Sequence, residues 1–279
     1  VLINGRYADS ISVHDRGLHY GDGLFETLAV KQGQPQLWDW HMERLRAGCD
    51  RLRLAPVDPV LLRAEAEEVC AGKSRAVMKI VLTRGPAVRG YRIEAGSAAT
   101  RILSLAEAAD YPLRYYREGV AIRLCQTRLA CNPALAGIKH LNRLEQVLAR
   151  AEWDDEEIVE GLMCDVDGRV IEGIMSNIFL VRQDRIATPP VAACGVAGIM
   201  RRRIMEWARD DGLPLEERAL SPREIKEADE VFLCNSLIGV WPVRRFEDAD
   251  WRPGPLTARI GAAVGGCSLM PDAALSGAA

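Results

Sequence analysis

The residue in this sequence with the clearest chemical potential is Lys139, in the run Gly137-Ile138-Lys139-His140. The preceding Ala134-Leu135-Ala136 is small and apolar, and Leu141, Leu144, Val147 and Leu148 follow at helical spacing. The pattern predicts a helix opening just after the lysine. Apolar surroundings and the positive end of a helix both disfavour an ammonium and favour the free amine, which attacks carbonyl carbons. Read on its own, the residue is more commonly just a lysine covering a helix end. A second feature suits an anion. Gly198-Ile199-Met200 begins a predicted helix, whose first N–H groups and dipole favour negative charge. Gly195 and Gly198 allow the backbone to approach a ligand closely.

The elements that must position these residues alternate between strands and helices. Residues 1–8 read as a hairpin around Asn4-Gly5. Phe25 to Val30 and Gln36-Leu37 read as two strands joined by Lys31-Gln32-Gly33-Gln34. Asp39 is a candidate N-cap for a helix to about Leu52, with Met42, Leu45, Cys49 and Leu52 on one face. Asp58-Pro59 starts another helix. Val77 to Thr83 and Thr100 to Leu105 are strand-like, and the segment between them, Arg84-Gly85-Pro86 to Gly96-Ser97, is a basic loop. A polar stretch over 109–119 lacks a period and reads as a linker between a smaller N-terminal unit, 1–108, and a larger C-terminal one, 120–279. In the second unit, strands are expected at Val120 to Cys125, Ile158 to Cys164, Ile178 to Val181, Val231 to Cys234 and Val240 to Val243. Asp167-Gly168 makes a hairpin turn into Arg169-Val170-Ile171. Helices are expected from Gly198 to about Asp211, after Ser221-Pro222, and over Leu256 to Val264, with fraying from Leu275 to Ala279. The hairpins argue for a mixed α/β, or α+β, two-subdomain fold and against a purely parallel doubly wound sheet.

Composition narrows the class further. The 279 residues are 48 % hydrophobic and 27 % charged, with a formal charge of -3, so the balance gives no sign of nucleic-acid binding. No apolar run approaches the roughly 18 residues of a membrane span, and no signal-like segment opens the chain, which points to the cytoplasm. The eight cysteines form no C-x-x-C pair and have no zinc-like spacing to the four histidines, so no metal site is expected. Most lie in apolar runs and read as reduced, buried thiols.

Several motifs together resemble one family. They are Asp15-Arg16-Gly17, Gly21-Asp22-Gly23-Leu24-Phe25-Glu26, His41-Met42-Glu43-Arg44-Leu45, the segment from Leu135 through Lys139 to Gln146, Ile171-Glu172-Gly173-Ile174-Met175-Ser176-Asn177, Gly195-Val196-Ala197-Gly198-Ile199-Met200-Arg201 and Cys234-Asn235-Ser236. In this order and spacing the sequence resembles the fold-type IV pyridoxal-phosphate enzymes over nearly its whole length. That group holds the aminodeoxychorismate lyases together with the branched-chain and D-amino acid aminotransferases. The resemblance implies pyridoxal 5'-phosphate held by Lys139 as a Schiff base. It also implies a carboxylate, Glu172, facing the protonated ring nitrogen so that the cofactor can act as an electron sink. The phosphate would be held at Gly198, Ile199 and Met200, by Arg44 and by the hydroxyl of Ser236, with Asn177 orienting the ring oxygen. On position alone, Arg44 reads equally as a helix-surface charge, Glu172 as a turn residue, Ser236 as a strand-end serine and Asn177 as a turn cap.

The lyase branch implies conversion of 4-amino-4-deoxychorismate to 4-aminobenzoate and pyruvate, a step of folate biosynthesis. Lys139 would then also be the proton-transfer base, and Thr27 could deliver a proton through its hydroxyl. Arg84, Arg89 and Tyr91, with Arg92 in the same loop, would meet the two substrate carboxylates; the competing reading is a solvated basic loop. Three positions depart from the family's usual residues. Ile171 and Met200 stand where threonine is common, and Asn235 replaces a hydroxyl residue of the transaminases, which tilts the reading to the lyase. An aminotransferase on the same scaffold is the alternative. An inactive cofactor-binding or interaction protein is the alternative of another class, against which the intact lysine, glutamate and arginine argue. The resemblance further implies a homodimer acting on a small molecule. No feature of the sequence assigns docking to a partner synthase.

Overall fold

The computed structural model describes residues 1–94, 96 and 98–275. Two compact units make up the chain. The first comprises Val1–Ala109 together with Ile138–Arg143, and the second begins at Asp110, omits 138–143 and resumes at Leu144.

In the first unit six strands form an antiparallel sheet in the order Arg6–Tyr7, Leu2–Ile3, Thr100–Glu107, Arg75–Thr83, Gly23–Lys31, Gln34–Pro35. Asn4 and Gly5 both take positive φ, 49° and 77°, as the tight hairpin around Asn4-Gly5 requires. The next turn lies at Gln32-Gly33, so the short return strand is Gln34–Pro35 rather than Gln36-Leu37. Leu37 adopts φ 52° and precedes the helix Trp38–Leu52 with no side-chain cap, which places Asp39 inside the first turn instead of at the cap. Its acidic charge still suits the helix N-terminus. That helix buries Trp38, His41, Leu45, Gly48 and Cys49. Asp58 caps Pro59–Cys70 by accepting from the Val60 N–H at 2.8 Å.

The second unit is built on a nine-stranded mixed sheet. Its order is Leu215–Glu217, Arg185–Thr188, Asn177–Arg182, Glu230–Asn235, Gly239–Phe246, Val120–Leu129, Ile158–Asp165, Val170–Gly173, with Ala249–Asp250 paired to the Gly239–Phe246 strand. Three of its pairings are parallel: 185–188 with 215–217, and 120–129 with both 239–246 and 158–165. The helix Ile199–Asp210 packs Met200, Ile204 and Ala208 with Phe179 and Phe232, whose rings stack at 5.0 Å. Ser221 opens Pro222–Lys226 with a full capping box to Glu224.

Two expectations need correcting. Of the stretch expected as a linker, 109–119, all but Ala109 belongs to the second unit: Arg114–Arg117 is a short helix, and Tyr111, Tyr115 and Tyr116 set their rings edge-on to buried Trp241. Its aromatic residues, not a period, were the signal. The helix after the lysine begins at Leu144, and it buries Gln146 and Ala149 while Leu144, Val147 and Leu148 are exposed. Of the end expected to fray, Leu275 to Ala279, Leu275 closes the short helix Asp272–Leu275, and residues 276–279 lie outside the described residues. All eight cysteines are free thiols; six of them are buried, Cys267 is half-buried and Cys131 exposed.

Candidate active-site residues

In the first unit, the Ile138–Arg143 segment is hydrogen-bonded to the start of the Gly23–Lys31 strand. The Phe25 N–H donates to the Lys139 carbonyl at 2.9 Å and the Leu141 N–H to that of Gly23 at 3.0 Å. This pairing needs a glycine at 23, because a Cβ there would lie 2.4 Å from the Leu82 carbonyl oxygen and 2.8 Å from Leu141 Cδ1. Lys139 is therefore set by an extended bridge, five residues before the helix start, and the helix end does not act on its amine. Its Nζ lies 4.4 Å from the Phe25 ring centroid and acts electrostatically on His41, and Lys79 Nζ lies 5.1 Å from the same ring. Strand alternation puts half-buried Thr27 on the Phe25 face, opposite Lys79 in the register.

The other face of that strand holds a buried ionic cluster. Glu26 Oε1 accepts from Arg44 Nε at 2.8 Å, and Glu26 Oε2 accepts from Arg44 Nη2 at 2.5 Å and from His41 Nδ1 at 2.6 Å. Burial alone would raise the Glu26 carboxyl. The Arg44 guanidinium and the His41 N–H outweigh it and hold the group at about 2. Burial lowers His41 against the pull of Glu26, and a proton on Nδ1 faces the Glu26 carboxylate. His41 Nε2 is buried without a hydrogen-bond partner. The roles of Glu26 and His41 escaped the sequence reading. The signal was there in the i, i+3 spacing of His41 and Arg44 on one helix face, but it shows only when a carboxylate faces it.

Arg84 does not take the place expected of it. It is buried, with Nε and Nη2 on Asp22 at 2.8 and 3.0 Å and further donations to the carbonyls of Arg53 and Leu52, both at 2.7 Å. Its donors are committed to the fold, which removes it as a substrate ligand. Arg16 completes the network on Asp22 at 2.8 Å and donates to the Gly90 carbonyl at 2.7 Å. Burial raises the Asp22 carboxyl, and the two guanidinium groups more than reverse that, for a net lowering. Arg89, Tyr91 and Arg92 are exposed; the Tyr91 ring sits 5.3 Å from that of Tyr20.

The second unit holds the carboxylate and the glycine-bounded loop. Glu172, on Val170–Gly173, is buried, and its Oε2 accepts from the Val196 N–H at 2.8 Å. Gly195, at φ +84°, fits against it: a Cβ would lie 2.7 Å from Ile171 Cγ2 and 3.2 Å from Glu172 Oε2. Asn177 Nδ2 donates to the Val196 carbonyl at 3.0 Å. A Cβ at Gly198 would lie 1.9 Å from Asn177 Oδ1, so only glycine fits there. Gly198 is the N-cap of Ile199–Asp210 and brings no side-chain cap, so the first-turn N–H groups of Ile199 and Met200 have no intrahelical acceptor. The Met200 side chain is fully buried in the core, which leaves only its backbone for an anion. Glu160, which the sequence reading passed over, is a buried carboxylate that accepts from Gly161, Ile174 and Met175 N–H groups and from Ser176 Oγ at 2.9–3.1 Å. It shapes the turn joining Glu172 to Asn177. Burial raises its carboxyl against these donors. Half-buried Ser236 lies in the turn after Glu230–Asn235, which Asn235 organises by accepting from the Leu237 and Ile238 N–H groups at 2.8 and 2.9 Å.

The donor set fits pyridoxal phosphate. A buried carboxylate suits a protonated pyridine nitrogen, and uncapped helix N–H groups behind a glycine suit a phosphate.

Comparison with known proteins agrees with this chemistry. The chain is similar to the crystal structure of 4-amino-4-deoxychorismate lyase from Pseudomonas aeruginosa, at 50 % identity and a TM-score of 0.89, covering 92 % of this chain and 95 % of that one. It is 34 % identical over 262 residues to the aminodeoxychorismate lyase of Vibrio harveyi, across 92 % of this chain and 97 % of that protein. It is 28 % identical to the D-alanine aminotransferase of Bacillus licheniformis, across 95 % of each. The model of the amino-transferase class IV family matches residues 23–246, and the chain belongs to that family.

Proposed function

We propose that this chain is a pyridoxal-phosphate-dependent lyase that converts 4-amino-4-deoxychorismate to 4-aminobenzoate and pyruvate. The observation that carries the reaction is the likeness to the Pseudomonas lyase along more than nine-tenths of the chain. The retained amine, carboxylate and uncapped helix start support the cofactor.

When bound, the cofactor supplies an electron sink conjugated to the substrate nitrogen. The residues do the rest. The Lys139 amine would hold the cofactor and, when free, would take the ring proton beside the substrate nitrogen on its Nζ. The Glu172 carboxylate keeps the pyridine nitrogen protonated, and Val196, by donating to Glu172, holds that carboxylate in place. The N–H groups of Ile199 and Met200, behind Gly198, bind the phosphate, with the Arg44 guanidinium and the Ser236 hydroxyl as further ligands and Asn177 at the ring oxygen. Thr27 Oγ1 delivers a proton to the departing enolpyruvyl group. Arg89 and Tyr91 take the substrate carboxylates. Atoms balance without water or an acceptor: the substrate divides into the aromatic amine and pyruvate, and aromatisation drives the products.

The reading extends to a homodimer in the cytoplasm. The exposed Leu144, Val147 and Leu148 supply apolar surface a second copy would cover, and a monomeric mass in solution would remove that part. The likeness to a D-alanine aminotransferase favours one second reading, a transaminase on the same scaffold. Incubation of the purified protein with aminodeoxychorismate separates the two. The lyase yields 4-aminobenzoate and pyruvate in equal amounts without any keto acid, and Lys139→Ala lowers the rate about a thousandfold or more. Product formation no greater than that of the variant sinks the lyase reading.

A further inference from the structure

The segment that carries Gly195 and Val196 starts at a buried thiol, and an exposed thiol lies beside it. Cys194 is packed with Cys125, Leu129, Ala149, Trp153, Met163 and Ile171. Leu129 ends its strand in register with Asp165, and Cys131 follows two residues later. The chain then turns tightly, with the Leu135 and Ala136 N–H groups both donating to the Asn132 carbonyl at 2.9 Å. It returns at Gly137, which donates to the Gly195 carbonyl at 2.8 Å and accepts from the Ala197 N–H at 3.0 Å. The 129–137 stretch is thus fastened to the region around 194–197, by Leu129 packing in the Cys194 cluster and by the Gly137 bonds, and the Cys131 and Cys194 side chains are neighbours that act on one another. The Arg169 guanidinium, held by Asp165 at 2.9 Å, acts electrostatically on Cys131. We infer that Cys131 and Cys194 are a peroxide-responsive thiol pair that closes to a disulfide, a modification site at the root of the loop bonded to Glu172.

The chemistry divides between the two. Exposed Cys131 is the thiol of the pair that peroxide can reach, and it attacks the peroxide oxygen. Burial pushes the Cys194 thiol up to about 12, so it stays protonated and does not compete. The Cys131 sulfur takes one peroxide oxygen to become a sulfenic acid, and the other oxygen leaves as water. Cys194 sulfur then attacks that sulfenic sulfur: the S–S bond forms, the S–O bond breaks, and hydroxide leaves with the Cys194 proton as a second water. Two thiols lose two electrons to one peroxide, and a dithiol reductant reverses the step. Cys125 and Cys164 also influence one another, but both are buried and present no thiol to the oxidant.

An S–S bond of about 2 Å is shorter than any contact between two thiols, so closing it draws residue 194 toward 131 and tugs the Gly195-Val196 turn off Glu172. On the reading of the site given above, the oxidised chain binds pyridoxal phosphate at least about fivefold more weakly.

Full-length protein treated with hydrogen peroxide is expected to lose about 2 Da, to yield a 131–194 linked peptide, and to recover with dithiothreitol. Cys131→Ser and Cys194→Ala should each abolish the link, and in Cys194→Ala the sulfenic acid at Cys131 should be trapped by dimedone. No mass loss, a link between other cysteines, or an unreactive Cys131 in Cys194→Ala overturns the pair. Pyridoxal phosphate titration of the reduced and oxidised protein reads the coupling, and equal affinity with the link in place overturns that coupling. Absence of binding in both states counts against the proposed function and leaves the thiol result standing.

Discussion

The two units handle charge in opposite ways. The first unit uses side-chain ions. Glu26, His41 and Arg44 lie buried in one cluster, and Asp22, Arg16 and Arg84 form another. The second unit, around Glu172 and Gly198, relies on backbone N–H groups and on missing Cβ atoms. Buried ions are sensitive to the loss of a partner and to pH, because an uncompensated charge in an apolar place is costly. A glycine cradle is indifferent to pH but intolerant of a single added carbon. The same chain should therefore fail in two distinguishable ways.

The largest stability effect is expected from Glu26→Ala. It leaves Arg44 without its buried carboxylate and should cost about 3–5 kcal/mol in denaturant unfolding. A loss below about 1 kcal/mol would mean that water reaches the cluster and would erase the contrast. Next comes Gly198→Ala. The new Cβ meets Asn177 Oδ1, and the overpacking should cost roughly 1–3 kcal/mol and weaken cofactor binding. Adding Asn177→Ala removes the obstructing atom, so the double variant should recover part of that loss. Additive losses would show that the steric account of the cradle is wrong.

Acid should separate the units further. Glu26, held at about 2 when folded, titrates well below its ordinary value of 4.5, so its stabilisation is complete above that value and lost as pH falls through about 2. His41 is lowered from 6.5, so protonating it opposes folding in the same direction, starting below that pH. Unfolding followed from pH 7 to pH 3 should show a decline that is flattened in a Glu26→Gln, His41→Leu double variant and retained in Asn177→Ala. An equal decline in all three would place the acid-sensitive groups elsewhere.

The smallest effect tests the loop. Arg89→Gln should leave stability within about 0.5 kcal/mol and raise KM for the substrate, whereas Arg84→Gln should destabilise by a few kcal/mol through its lost bonds to Asp22 and two carbonyls. A stability loss in Arg89→Gln equal to that in Arg84→Gln would reverse the division of labour between them.

What was legible in the sequence was local. Asp58-Pro59 and Ser221-Pro222 with Glu224 name their own helix starts, because the capping partners lie within three residues. Asn4-Gly5 names its turn because both residues must take positive φ. The order of motifs around Lys139 and Glu172 was enough to identify the family. The rest depended on partners distant in the chain. Arg84 looked like a ligand until Asp22 and the carbonyls of residues 52 and 53 took its donors. The apolar spacing of Leu144, Val147 and Leu148 predicted a helix but not that this face would be the exposed one. Lys139 seemed to owe its setting to a helix end, whereas a bridge to the Gly23–Lys31 strand and the ring of Phe25 set it. Cys131 and Cys194 are 63 positions apart in sequence, yet their side chains are neighbours. The sequence by itself determined which chemical groups this protein possesses and where its local turns begin. Only the tertiary structure decided which of those groups are committed to one another, because burial and pairing belong to the packed sheets and not to any short stretch of chain.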